Sequence, residues 1–294
     1  MIPIQTRQLT KHYGSFPALV DLDLDVRQGE VFGFLGPNGA GKSTTIRVLM
    51  GELNATSGSA TVLGAAPREV AHRNRLGYLP ADLALWPAMT GRDTLKFFAN
   101  LRGGVDWRYV DQLVERLKAT LDKRVGELSS GNRQKIGLIA TFMHKPELLL
   151  LDEPNAGLDP LVQHEFWAMM REVADDGRSV FLSSHTLSEV ERVADRVGII
   201  RHGRLVAVEE VAALRAMQMR RIELDFDGEL EEGFLRRIDG VRDVELRPGR
   251  AVVDFNGDMS ALLGAVTGLT TLRDLRTNDA DLEEIFLAYY KDAK

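Results

Sequence analysis

The sequence predicts an α/β fold: a parallel sheet with an antiparallel β subdomain and a helical insertion, followed by a small C-terminal ferredoxin-like α+β domain. Three observations carry this. Phe32 to Leu35, Leu148 to Leu151, Val180 to Leu182 and Val197 to Ile200 are short apolar runs separated by helical stretches. Strands buried on both faces of a parallel sheet read this way. Val20, Leu22, Leu24 and Val26 instead alternate with Asp21, Asp23 and Asp25, as in an antiparallel strand with one wet face. Beyond residue 217 the elements follow the order β-α-β-β-α-β.

Val31-Phe32-Gly33-Phe34-Leu35 predicts a buried strand. Thr44 through Leu53 predicts a helix, with Ile46, Leu49, Met50 and Leu53 at helical spacing. Residues 82–146 read as the helical insertion, through Leu95, Phe98 and Leu101, then Leu113, Arg116 and Leu117. Ser129 can cap the helix that carries Ile136, Ile139, Ala140 and Met143. Asp159 before Pro160 is an N-cap followed by proline at the first helical position. Thr186 and Glu189 fit a capping box.

The first domain is expected over 1–216 and the second over 217–294. In the second, Ile222, Leu224 and Phe226 alternate, and Leu230, Phe234, Leu235 and Ile238 have helical spacing. Val244 and Leu246 alternate, Pro248-Gly249 marks a turn, and Ala251 to Phe255 is a strand. Met259 to Val266 is helical, and Leu272 and Leu275 lie in a strand. A last helix presents Leu282, Ile285, Phe286 and Tyr289 as one apolar stripe.

The 294 residues are 44% hydrophobic and 27% charged, ordinary for a globular chain. A net charge of −6 gives no reason to expect nucleic acid as a partner. The absence of cysteine excludes disulfides and thiolate metal sites. No apolar run reaches transmembrane length, and Met1-Ile2-Pro3-Ile4-Gln5 does not begin a signal peptide. The expectation is a cytoplasmic protein that reaches any membrane through a partner.

The chemistry concentrates at Gly36-Pro37-Asn38-Gly39-Ala40-Gly41-Lys42-Ser43, which fits G-x-x-x-x-G-K-[ST] at every fixed position. A strand precedes it and a helix follows from Thr44. Glycines let successive N–H groups turn toward one point, and the helix N-terminus adds partial positive charge there. Lys42 would reach the β- and γ-phosphates of a nucleotide, and the Ser43 hydroxyl would bind Mg²⁺. Asp152 ends an apolar strand at the sheet edge where such folds bind ligands, and is the second candidate Mg²⁺ residue. Glu153 could polarise the attacking water. His185 ends the Val180 to Ser184 strand. A histidine there is ordinarily structural, but at an edge facing phosphates it can hydrogen-bond one.

The ordered set resembles the ATP-binding subunit of ATP-binding-cassette (ABC) transporters over residues 4 to about 210. The motifs are the phosphate loop, the signature Leu128 to Asn132, Leu148 to Glu153, Gly157-Leu158-Asp159 and His185. The resemblance implies a P-loop (RecA-like) fold, ATP and Mg²⁺ as cofactors, and Tyr13 stacking on adenine, beside the plainer reading of strand packing. It implies two copies paired head to tail, with Ser129 and Gly131 binding the γ-phosphate across the interface, Ser130 and Asp159 among the nucleotide-binding residues, and a homodimer as the simplest supply.

Departures accompany it. Ser130 and Asn132 stand where the family usually has glycine and glutamine, Asn155 replaces a threonine, and Ala81 then Asp82 stand where a glutamine normally follows Gly77-Tyr78-Leu79-Pro80. Asp82 or solvent would substitute, or coupling differs. These variants, with the ending Leu282-Glu283-Glu284-Ile285-Phe286-Leu287, resemble the drug- and antibiotic-export branch that pairs with separate ABC-2-type permeases. The resemblance then implies a peripheral location on the cytoplasmic side of the membrane. Trp86, Pro87, Phe97 and Phe98 lie where the family receives a permease helix. Trp86 is the contact candidate, and Phe97 and Phe98 are expected in the core. The alternatives are a non-transport ABC ATPase and a nucleotide-sensing module with weak hydrolysis.

Overall fold

The alternating aspartate segment folds into a hairpin: β1 (Ile4–Tyr13) pairs antiparallel with β2 (Phe16–Val26). The computed structural model describes residues 2–70, 72–217 and 220–279. β3 (Val31–Leu35) is buried at every position and leads through the glycine loop into α1 (Lys42–Leu49). β4 (Ser57–Val62) returns to β1, making the three-stranded sheet β2-β1-β4. Leu9, Leu22 and Leu24 from this sheet share one core with Phe32 and Phe34 of β3 and Ile46 and Leu49 of α1. The glycine loop thus leaves a strand and enters a helix that are both anchored by burial.

β5 (Leu76–Leu79) precedes the insertion, which holds α2 (Gly91–Leu101), α3 (Trp107–Leu117) and α4 (Ser130–Phe142). Thr90, Asp106 and Ser129 cap these helices, each accepting a backbone N–H of its own first turn. Then follow β6 (Leu148–Asp152), α5 (Pro160–Asp175), β7 (Ser179–Ser184), α6 (Leu187–Val193), β8 (Arg196–Arg201) and β9 (Arg204–Glu210). They complete a six-stranded sheet in the order β5-β6-β7-β3-β8-β9, parallel except for β9. This order sets the carboxyl ends of β6, β7 and β3 side by side.

Two local expectations change. Thr186 makes no side-chain cap to α6. Glu189 instead accepts from the Ser184 hydroxyl at 2.6 Å, and that hydroxyl, not Glu189, takes the Thr186 N–H at 3.0 Å. Phe97 is not core: it is exposed, with the Trp86 ring 4.7 Å away and Phe98 5.7 Å away. The three rings pack on one another, with Trp86 also 6.2 Å from the Phe98 ring.

The chain divides into two compact units, Met1–Val211 and Ala212–Lys294. After α7 (Val211–Met217), the second unit contains β10 (Arg220–Asp227), α8 (Glu232–Leu235), β11 (Val241–Arg247), β12 (Arg250–Phe255), α9 (Met259–Thr267) and β13 (Thr271–Asp279). The sheet runs β11-β12-β10-β13 with antiparallel neighbours throughout, the ferredoxin-like order. Ile222, Leu224, Val253, Phe255, Leu262 and Val266 form its own core. The helix expected over Leu230 to Ile238 is a single turn. Gly233 lies inside it and weakens the helix, and the chain continues through tight three-residue hydrogen bonds such as Ile238 N–H to Leu235 O. The final helix expected around Leu282 to Tyr289 lies outside the described residues.

Candidate functional site

The phosphate loop is shaped by close approach. Gly36 donates its N–H to Ser184 O at 3.2 Å. Gly41 precedes α1 with φ 112°, a left-handed conformation that glycine adopts without strain, and a Cβ there would meet Ala18 O at 2.7 Å. Thr45 bonds back to Gly41 O through both its N–H and its hydroxyl. Ser43 and Thr44 sit half-buried in the first turn, which contains no acidic residue. Lys42 Nζ donates to Gly36 O at 2.6 Å and lies 3.3 Å from Glu153 Oε1.

Because β6, β7 and β3 are neighbours, residues distant in sequence converge on that lysine. Asp152 is 2% exposed and its Oδ1 accepts from the Ser183 hydroxyl at 2.5 Å. Glu153 takes a positive φ of 49°, uncommon for a residue with a side chain. Its N–H donates to both Ser183 oxygens, and its carboxylate spans Lys42 and His185, whose Nδ1 is 2.8 Å from Oε2. The result is a Lys42–Glu153–His185 chain at the sheet edge. The His185 side chain is 57% exposed and Glu153 is 22% exposed. Among the described residues no group of three His, Cys, Asp or Glu could hold a metal. Ser43 and Asp152 supply the oxygen donors that suit Mg²⁺ delivered with phosphates.

A second constellation forms at the start of α4. Ser129 accepts the Asn132 N–H at 3.2 Å. Gln134 donates to Pro154 O at 2.9 Å, tying α4 to the turn after Glu153. A Cβ on Gly131 would lie 2.3 Å from Gly157 O, so the two loops touch backbone to backbone. Lys135 pairs with Asp159 at 3.4 Å. Asp159 caps α5 through the Val162 N–H, which holds its carboxyl below the usual range. Ser129, Ser130, Gly131 and Asp159 line one cavity of about 550 Å³, whose lining includes no residue of the phosphate loop.

The expected site residues therefore fall into two groups on one chain. Tyr13 stands apart from both, 46% exposed at the end of β1, with Lys11 Nζ 5.3 Å from its ring centroid. Asp82 and Ala81 are exposed, and Asp82 makes no hydrogen bond among the described residues. Asn155 Oδ1 is buried without a hydrogen-bond partner among the described residues. Sequence reasoning missed Ser183, which fixes both carboxylate residues, and Gln134. A signal for the first existed: Ser183-Ser184 follows the apolar buried run Val180 to Leu182 in its strand, where hydroxyls need partners.

A family model described as ABC transporter matches residues 19–156. The probable multidrug ABC transporter ATP-binding protein YbhF of Escherichia coli K12 is 35% identical over 242 residues. That match covers 80% of this chain and 41% of the relative, so the chain spans less than half of that protein's length. The bacitracin transport ATP-binding protein BcrA of Enterococcus faecalis is 31% identical over 292 residues, covering 96% of this chain and 94% of the relative. A solved ATP-binding subunit of an ABC transporter superposes with a TM-score of 0.66 at 28% identity, covering 73% of this chain and 92% of that one.

Proposed function

The chain belongs to the ABC transporter family of ATP-binding subunits, and from that premise we propose that it powers a drug- or antibiotic-type exporter as a homodimer with a separate ABC-2-type permease. The family's ATP-binding domains bind and hydrolyse ATP, dimerise, and work with transmembrane partners. Among the described residues no helix is long and apolar enough to cross a membrane. By the family resemblance, the subunit would lie on the cytoplasmic side, held by the permease. The bacitracin relative supports an exporter of drug-like or hydrophobic compounds.

The observation that carries the reading is the split of the site. The phosphate loop with Lys42, Asp152, Glu153 and His185 lies at one place, and the Ser129–Gly131 ledge faces a cavity of its own. Two chains paired head to tail would join one half of each kind. The mechanism follows from the contacts. Lys42 lies between loop carbonyls and Glu153, so a polyphosphate that engages Lys42 releases Glu153 Oε1 to accept a proton from water. His185 holds the other carboxylate oxygen and orients the base. Ser43 and Asp152 would hold Mg²⁺, which neutralises charge developing on the phosphates. Tyr13 would stack on the adenine, and the α4 N-terminus would donate to the γ-phosphate across the interface.

Loss of a positioned base costs 10²- to 10⁴-fold, roughly 3–5.5 kcal/mol of barrier. Glu153→Gln should bind ATP, turn it over that much more slowly, and accumulate as an ATP-dependent dimer in size-exclusion chromatography. Unchanged turnover removes Glu153 from the role. Exposed Asp82, without a hydrogen bond among the described residues, favours a second reading: a nucleotide sensor with weak hydrolysis. Turnover that stays negligible when the permease is added would select it.

A further inference from the structure

We infer that Asn132 is a positioning residue: its carboxamide holds the 118–123 loop, with Lys118 and Lys123, against the signature ledge rather than reaching the partner's nucleotide. The inference rests on the head-to-tail reading above. Asn132 Oδ1 accepts the Thr120 N–H at 2.8 Å, and Asn132 Nδ2 donates to the Thr120 carbonyl at 2.8 Å. Both ends of the amide are spent on one residue's backbone, much as a neighbouring strand would spend them. A flipped amide would set N–H against N–H and oxygen against oxygen, so the orientation is dictated. Glutamine, which the family usually carries here, is one methylene longer and cannot make the same two bonds from this helix position without displacing the loop.

The clamp is one of three pins on that loop. Lys118 ends α3 in a left-handed conformation, φ 50°, its N–H bonded to Glu115 O. The carbonyls of Leu121 and Lys123 accept the N–H groups of Arg92 and Gly91 at the start of α2. Lys118 and Lys123 are themselves exposed and make no ion pair among the described residues. Both line the same cavity as Ser129 and Gly131. Lys135, the third lysine there, is already paired with Asp159, and Glu127 is the remaining carboxylate of the lining. Within the cavity lining, the positive charge without an ion pair is therefore carried by the loop that Asn132 holds. Such charges act over about 10 Å at 0.1 M salt, so they draw the partner's nucleotide in without touching it.

The test uses the full chain in the Glu153→Gln background, where ATP-bound dimers persist. The ATP concentration at half-maximal dimerisation is measured at 50 and 200 mM salt. Asn132→Ala and the pair Lys118→Ala/Lys123→Ala should each raise that midpoint roughly 3- to 10-fold at the lower salt and flatten its salt dependence. Combining all three should cost no more than the lysine pair alone, because Asn132 acts through the lysines. Asn132→Asp, which loses the donor and adds a negative charge beside the ledge, should raise the midpoint at least as far as Asn132→Ala. ATP affinity of the monomer should not move. Full additivity of Asn132→Ala with the lysine pair, or an unchanged midpoint in either variant, overturns the inference. Should Asn132→Ala fail to fold, Asn132→Gln, which cannot make both bonds to Thr120, takes its place in the same comparison. A parent that forms no ATP-dependent dimer overturns the head-to-tail reading itself, which separates the two failures.

Discussion

Ser183 is fully buried and serves two residues at once: its hydroxyl donates to Asp152 and accepts the Glu153 N–H. Ser183→Ala leaves a 2% exposed carboxylate without that donor. The expected cost is about 1–3 kcal/mol, which lowers Tm by several degrees in calorimetry. ATP turnover should fall with it, since Glu153 loses its register against Lys42. An unchanged Tm would mean that water replaces the hydroxyl. Gly131 makes a sharper demand. Any Cβ there collides with Gly157 O at 2.3 Å, a backbone atom that moves only with the 154–159 loop. Gly131→Ala should therefore abolish ATP-dependent dimerisation while the monomer still binds a fluorescent ATP analogue. Dimers at parental ATP concentrations would show that the ledge has room to shift.

At the scale of elements, the insertion is joined to the sheet through His144, just past α4. Its Nε2 meets Leu76 O of β5 at 3.0 Å and its Nδ1 is buried without a partner among the described residues. Burial, with Arg102 adding to it, lowers its pKa to about 4. The ring is thus neutral in the fold and donates from Nε2. Because the folded pKa lies below the unfolded value of about 6.5, the unfolded chain binds more protons between those two pH values. The stability contributed by His144 is complete above about pH 6.5 and is lost as pH falls toward 4. His144→Gln should flatten the Tm-versus-pH curve over that interval, and an unaltered slope would assign it to other groups. The loop after β5 presents a different surface. Trp86 is 49% exposed on a platform of Phe97 and Phe98. Exposed aromatic clusters of this kind anchor interfaces. Trp86→Ala is expected to break permease co-purification and transport while leaving ATP binding intact, and normal co-purification would remove it as the contact.

At the scale of the whole molecule, the second unit buries Ile222, Leu224, Val253 and Phe255 in a core of its own. A separate core is the mark of a domain that folds by itself. The charged face of its sheet is laced by pairs such as Arg221–Glu245 and Arg250–Glu223, and no nucleotide-binding loop occurs in its sequence. We propose a regulatory or dimer-supporting role for it. Removal of residues 217–294 should leave ATP affinity unchanged but weaken ATP-dependent dimerisation or export. A soluble truncated chain that matches the parent in all three measurements would make the unit a passive appendage.

Features governed by neighbours within a turn or two could be read from the chain alone. The glycine loop between an apolar strand and a helix, the Asp159-Pro160 and Ser129 helix starts, and the aspartate-interleaved β2 all depend on local sterics, capping and side-chain period. Leu101, 65% exposed, and the Leu230–Ile238 stretch had the right period but the wrong outcome, because period reports a face and not what covers it. The convergence of Lys42, Glu153 and His185 arises from the sheet order β6-β7-β3, which no local window encodes. Ser183 under Asp152, Gln134 on Pro154 and Asn132 on Thr120 likewise join residues that only the packed chain makes neighbours. The sequence by itself determined which chemical groups this protein owns and the local elements that carry them. The tertiary structure alone decided which of those groups meet, because pairing across a buried sheet is chosen by the burial of the whole core.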